Sequence, residues 1–183
     1  MDQKYRDMVD QRLAENSSEI FGNFSREHAG YIIAQFIARA QNSIEIFSGN
    51  FADSFYDGIA AGLLLEQAAE RIQKNGGKIR IITINGVRSD TLMRLSERIN
   101  QRLPAPVVEY RPARCDNPEK VNHFMVVDSM RYRLEEPHPV PPESGAPEYV
   151  KAEVCCNGPQ KAARLIQNFN AAWNLLTPGR ANG

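Results

Sequence analysis

The residues best suited to chemistry in this sequence lie in one stretch, from Val121 to Asp128. The stretch is a short apolar run, typical of a buried strand, that contains His123 and ends in Asp128. The imidazole of His123 could transfer a proton or donate to a phosphate, or it could be a neutral core histidine bonded to a neighbour. Asp128 could orient a neighbouring catalytic group, or it could form the turn after the strand. Both are candidate catalytic residues.

Five basic side chains on either side of this stretch could bind phosphate. Guanidinium groups suit phosphate oxygens because their planar donors bind in pairs. Acidic residues are interleaved with these cations, so a solvated surface of mixed charge is the competing interpretation. The five candidates are Arg111, Arg114, Lys120, Arg131 and Arg133.

The sequence offers no pattern of metal ligands and no cofactor motif. Its three cysteines are Cys115 and the adjacent pair Cys155 and Cys156, which lack the two-residue spacing of zinc sites. The three histidines lie far apart along the chain. We therefore predict no metal site and no cofactor, and free thiols in a reducing compartment.

Composition limits the classes of function. The 183 residues are enough for one domain with a proper core. The 22 basic and 22 acidic side chains cancel, so a polyanion would have to be held by a local patch. No apolar run approaches the roughly 20 residues of a membrane helix, and the N-terminus lacks a signal-peptide core. These observations predict a cytoplasmic protein that does not enter a membrane.

Hydrophobic periodicity places the stretch at the centre of an α/β domain. Helical patterns precede and separate the first strands, and Ser25 is suited to cap the second helix. One more helix follows the last strand. This order predicts a single mixed β-sheet flanked by helices on both faces. Strands are predicted at residues 44–47, 78–84, 107–110, 121–127, 131–134 and 149–156.

The ends of the chain differ from this central region. Residues 1–24 have a loose helical pattern with polar flanks, which predicts an arm that is laid on the domain or binds a protein partner. The α/β domain is predicted over 25–177, with a proline-rich surface loop at 137–147 and a loop with binding potential at 48–51. Residues 178–183 are predicted to be a flexible tail.

The element order from residue 25 to 176 and the stretch at 121–128 together resemble the phospholipase D superfamily. The motif of that superfamily is H-x-K-x-x-x-x-D on a central strand, where the histidine attacks phosphorus and the lysine holds a phosphate oxygen. The resemblance implies a mixed α/β fold and a phosphate-bearing ligand. It also implies a homodimer, because single-domain members pair two motifs across a two-fold axis.

Two alignments with this motif are possible. In the first, Phe124 to Asp128 match the apolar run and the aspartate, so Val121 replaces the nucleophile and His123 the lysine. In the second, His123 is the nucleophile, Met125 replaces the lysine and Met130 replaces the aspartate. We prefer the first because it keeps both the aspartate and the apolar segment. The motif is degenerate in either alignment, since valine cannot attack phosphorus and methionine cannot neutralise an oxyanion.

These considerations predict a catalytically degenerate phospholipase D-like domain. It would act as a binding or regulatory module for a phosphate-bearing ligand, a nucleic acid or nucleotide, or a protein partner. One alternative is an active phosphodiesterase or nuclease in which His123 is the nucleophile and an arginine replaces the lysine. The arginines considered for that role are Arg111, Arg131 and Arg133. A second alternative is a structural subunit of a larger assembly.

Overall fold

Apolar and alternating stretches of the sequence form the strands of one β-sheet. The computed structural model describes residues 1–48, 59–84, 89–137 and 151–176. The predicted tail and most of the two predicted loops, at 49–51 and 138–147, lie outside the described residues. The described strands are β1 (Phe21–Asn23), β2 (Ser43–Ser48), β3 (Lys78–Ile84), β4 (Val108–Ala113), β5 (His123–Val127), β6 (Arg131–Glu135) and β7 (Ala152–Cys155).

The helices connect and flank these strands. A short 3-10 helix, Pro118–Lys120, precedes β5. Ser25 caps α2 as predicted, because its hydroxyl accepts from the His28 N–H at 3.1 Å. The described α-helices are α1 (Gln3–Ala14), α2 (Arg26–Arg39), α3 (Ile59–Lys74), α4 (Ser89–Arg102) and α5 (Pro159–Leu175).

The strands are arranged in the order β1-β7-β6-β5-β2-β3-β4. β2, β3 and β4 are parallel, whereas β5 pairs antiparallel with β2 and the remaining pairs are antiparallel. β5 is therefore the central strand of a mixed sheet, with three strands on each side. Helices cover both faces, and the predicted fold class is confirmed.

The sheet separates two hydrophobic layers. On one face the buried side chains of α1, α2, α3 and α4 pack against those of β2, β3 and β5. Among the described helices, α5 alone covers the opposite face, where Phe169 and Trp173 pack near Phe124 and Tyr132. We refer to these as the four-helix face and the α5 face.

Two strands differ from the sequence prediction. β1 follows the first helix within the segment predicted to be an arm, and it pairs with β7 at one edge of the sheet. Val9 and Leu13 of α1 are also buried in the core. The domain boundary at residue 24 stays a prediction.

At the other edge of the sheet, β4 continues to Ala113 through Pro112. An edge strand tolerates proline because the backbone on its outer side forms no hydrogen bonds with a neighbouring strand.

α5 is fixed to the sheet around Arg80. The Arg80 guanidinium lies 4.9 Å from the ring centroid of Phe169 and 5.8 Å from that of Trp173. Its Nη2 is 3.1 Å from Glu45 Oε1, and its Nη1 donates to Asn170 Oδ1. Glu45 is buried beneath the helix, and this burial raises the pKa of its carboxyl group.

Replacing Glu45 by glutamine is expected to change how stability depends on pH. A carboxyl group whose pKa is higher in the folded chain stabilises folding while it is protonated. This contribution is present below the unfolded pKa and is lost as pH rises through the folded pKa. In urea denaturation, Glu45→Gln should therefore be about as stable as the wild type at pH 4 and more stable at pH 7. The exposed Glu97→Gln is the matched control, and a difference that stays constant with pH would contradict this explanation.

Candidate functional site

His123 begins the central strand and points to the four-helix face. Side chains alternate along a strand, so His123 shares this face with Met125 and Val127, while Phe124 lies on the α5 face. The imidazole is buried, and its Nδ1 lies 3.6 Å from Oε1 of Glu135, the cross-strand neighbour of His123 on β6. This separation is longer than a hydrogen bond and corresponds to an electrostatic contact.

Arg133 links this pair to the edge of the sheet. Its Nη1 donates to Glu135 Oε2 at 2.6 Å, and its Nε donates to Asn23 Oδ1 of β1 at 2.8 Å. All of these residues are less than a tenth exposed. Ionised groups that leave water need charge partners and hydrogen bonds. Arg133 has both, although its buried Nη2 has no hydrogen-bond partner among the described residues. We call Asn23, His123, Arg133 and Glu135 the buried polar cluster.

The N-terminal segment packs against the buried polar cluster. The Tyr5 ring stacks on His28 at a centroid distance of 3.7 Å, and its hydroxyl donates to the Gly22 carbonyl. Burial raises the pKa of Tyr5 to about 12, although the nearby positive charge of Arg133 opposes that shift. Burial lowers the pKa of His28. α1 and the start of α2 therefore enclose the cluster on this side.

Asp128 lies at the other end of β5 and forms the hairpin turn. Its φ is 53° and that of Ser129 is 56°, two left-handed residues of the kind that tight hairpin turns require. The carboxylate accepts from the backbone N–H groups of Gln41, Asn42 and Ser43 at distances of 2.6 to 3.1 Å. Because five residues of strand span roughly 16 Å, the structure does not bring Asp128 to His123.

The five basic candidates do not converge on one site. Arg131 donates to Asp128 at 3.2 Å, at the turn. Arg111 lies on the α5 face, with its guanidinium 3.9 Å from the Trp173 ring centroid. Arg114 and Lys120 are exposed. Arg133 alone among the five belongs to the buried polar cluster.

A cavity of about 470 Å³ opens on the α5 face, between α5 and strands β2, β5 and β6. Its apolar wall includes Phe47 and Phe124, whose rings stack with centroids 5.3 Å apart and an angle of 10° between their planes. Two cations of α5, Lys161 and Arg164, border it. We call this cavity the α5 pocket. The other described lining residues are Val121, Asn122, Leu134, Leu165 and Asn168.

The described charged residues that line the α5 pocket are all basic. None of its described lining residues is acidic, and α5 itself contains no aspartate or glutamate. Among the described residues, neither Lys161 nor Arg164 forms an ion pair or a side-chain hydrogen bond. The two residues are three positions apart, so they project from neighbouring turns on one side of the helix. The pocket therefore has two positive charges that no described residue neutralises.

Sequence reasoning did not select Lys161 or Arg164 as site residues. The available signal was the composition of the last helix, which has basic and amide side chains and no acidic ones. That signal identifies a helix with a positive side. It does not predict that the helix crosses the sheet above Phe47 and Phe124.

The described part of the chain contains neither a cluster of metal-binding side chains nor a membrane-spanning helix. No group of three or more histidine, cysteine, aspartate or glutamate residues there could hold a metal ion. Among the described helices, none is long and apolar enough to cross a membrane.

The sheet order, the central strand and the flanking helices together define a phospholipase D-like α/β domain. Nuc of Salmonella typhimurium, described as a phospholipase D family member, is similar in structure. Its TM-score is 0.58 at 16% identity, over 85% of this chain and 94% of Nuc. NucT from Helicobacter pylori gives a TM-score of 0.55 at 8% identity, over 85% of this chain and 97% of its own.

A third similar structure is TrmBL2, described as an archaeal chromatin protein with a novel mode of DNA binding. Its TM-score is 0.57 at 14% identity, and the match covers 94% of this chain and 60% of TrmBL2. No family model and no curated protein matches the sequence. At such low identities, the likeness to these structures shows the fold.

Asp128→Ala is expected to destabilise the fold, because it leaves several backbone N–H groups at the start of β2 without their acceptor. Hydrogen bonds to a charged acceptor contribute about 1.5–3 kcal/mol each, with incomplete additivity, so we expect a loss of about 3 kcal/mol. The measurement is the free energy of unfolding in urea. Asp128→Asn, which keeps one acceptor oxygen, should lose less, and the exposed Asp116→Ala should lose almost nothing. A loss of similar size in Asp116→Ala and Asp128→Ala would contradict the capping role.

Proposed function

We propose that this chain is a phospholipase D-like domain that binds a phosphate-bearing ligand in the α5 pocket and does not hydrolyse it. The observation that carries the proposal is a pair of cations, Lys161 and Arg164, that no described carboxylate neutralises, at a pocket whose described lining contains no acidic residue. An anion placed between them would gain charge-assisted hydrogen bonds without displacing a described carboxylate.

The shape of the α5 pocket supports a ligand with both a charged and an apolar part. Its volume of about 470 Å³ lies within the range of small-molecule sites. The stacked rings of Phe47 and Phe124 offer a flat apolar surface on which a planar group can pack. Asn122 and Asn168 add amide groups that can donate or accept hydrogen bonds at the rim.

The absence of hydrolysis is inferred from the residues at the motif positions. In the preferred alignment the nucleophile position is Val121, which lines the pocket but cannot attack phosphorus. His123 is buried and points to the four-helix face, away from the pocket. A ligand seated on Phe124 would therefore be separated from the imidazole by the sheet itself.

We also propose that the chain forms a homodimer, because single-domain phospholipase D-like proteins assemble in this way. The alternative partners are a different protein, bound through the N-terminal segment, or the other subunits of a larger assembly. Light scattering of the purified chain distinguishes a mass of two chains from one, since one chain has a mass of 20.6 kDa.

Thymidine 5′-monophosphate is expected to bind the wild-type chain, and Lys161→Ala/Arg164→Ala is expected to weaken that binding at least tenfold. The reason is that two charge-assisted contacts are lost, each of the order of 1 kcal/mol or more. Isothermal titration at low and high salt measures the affinity, which should fall as salt rises. Lys74→Ala, at an exposed position on α3, is the matched control. Binding that is absent, or equal in all three proteins, would overturn the proposed site.

A phosphodiesterase is the second candidate function, and the buried polar cluster favours it. Glu135 could hold the His123 imidazole in one orientation, and Arg133 could balance the charge of a phosphate oxygen. In the alternative drawn from the sequence, His123 is the nucleophile and an arginine replaces the lysine that holds a phosphate oxygen. Of the three arginines considered, Arg133 is the one in contact with the Glu135–His123 pair.

Bis(p-nitrophenyl) phosphate is expected to be stable in the presence of the wild-type chain. Release of nitrophenolate measures turnover, and His123→Ala and Glu135→Gln provide the comparison. Turnover in the wild type that disappears in His123→Ala would establish the second candidate and overturn a purely binding function. Turnover that persists unchanged in His123→Ala would point to a contaminating enzyme, so the preparation is also assayed after a second purification step.

A further inference from the structure

A second cavity, of about 360 Å³, lies beside the first along α5. It is bordered by Tyr132, Cys155, Asn157 and Gln160, at the end of the sheet nearest β7. We call it the β7 pocket. Lys161 and Arg164 line both this cavity and the α5 pocket. The two cavities therefore adjoin at this cation pair, and we call the two together the groove.

From this arrangement we propose that the groove binds a short single-stranded nucleic acid, with an internal phosphodiester at Lys161 and Arg164. One nucleotide would occupy the α5 pocket and the next would occupy the β7 pocket. This inference rests on the proposed function and names the ligand of the same site. A terminal phosphate has one organic substituent, whereas a phosphodiester has two, and only the latter would fill cavities on both sides of the cations.

The charges around the groove favour this ligand. Among the described lining residues of the β7 pocket, none is acidic. Of the two carboxylates nearest in sequence to these residues, Glu19 pairs with Arg12 at 3.0 Å. The other, Glu153, accepts a hydrogen bond from the hydroxyl of Tyr132 at the border of the pocket. A phosphodiester between the two cavities would thus meet two cations that no described carboxylate neutralises.

The chemistry of the two cavities favours bases over lipid chains. In the α5 pocket, Phe47 and Phe124 provide an aromatic surface, and stacking of a base on an aromatic side chain contributes about 1–3 kcal/mol in single-strand binding proteins. In the β7 pocket, Asn157 and Gln160 present amides that can bond base edges. A duplex would not fit this scheme, because its bases are stacked within the helix and cannot enter separate cavities.

The test compares thymidine 5′-monophosphate with the dinucleotide TpT, which has the same base and one internal phosphodiester. Titration calorimetry of the full chain should show TpT binding at least tenfold more tightly. Asn157→Ala/Gln160→Ala, in the β7 pocket, should remove most of that advantage and leave the affinity for the mononucleotide within about twofold. Circular dichroism of the variant checks that the fold is kept.

The other outcomes distinguish a failure of this inference from a failure of the proposed function. If the mononucleotide binds and TpT binds no better, this inference is overturned and the proposed function stands. If neither ligand binds, the proposed function itself is overturned. Glycerophosphocholine is a phosphodiester without bases, and binding as tight as that of TpT would overturn the choice of nucleic acid in favour of a lipid headgroup.

Discussion

The alternation of side chains along β5 is the constraint on which the rest of the structure depends. All five residues of this strand are buried, so every side chain must enter one of the two hydrophobic layers. His123 consequently joins Arg133 and Glu135 on the four-helix face, while Phe124 joins Phe47 beneath α5. A shift of one residue would exchange the two sets. Asp128 secures the register, because its carboxylate binds the backbone at the start of β2.

This separation gives the domain two polar regions of different character. The buried polar cluster pairs its charges within the protein: Arg133 bonds Glu135 and Asn23, and little of it is exposed. Breaking such a pair is costly, since a lone buried charge remains. At the α5 pocket the cations are neither buried nor neutralised by a described carboxylate. The first region is suited to fixing β1 and the N-terminal segment to the sheet, and the second to receiving an anion.

The sequence allowed the central strand and the fold class to be predicted because each depended on local patterns. The apolar run before Asp128 and the helical stripes around it required no knowledge of distant contacts. β1 could not be found this way, since three residues contain too little pattern to distinguish a strand from a loop. The position of the Arg111 side chain could not be predicted from local patterns either. Its guanidinium lies over Trp173, 62 residues further along the chain, and only the packing of α5 brings the two together.

The same limit explains why the cation pair was missed, although the balanced charge already indicated that any polyanion would be held by a local patch. Equal numbers of acidic and basic residues predict no long-range field, and at physiological salt charges more than about 8 Å apart are largely screened from each other. Recognition of an anion therefore depends on charges within one Debye length of it. Lys161 and Arg164 meet this condition because α5 contains no acidic residue and crosses the sheet beside two cavities. A neutral chain can thus hold a polyanion at one groove, provided that its carboxylates are paired elsewhere, as Glu19 is with Arg12.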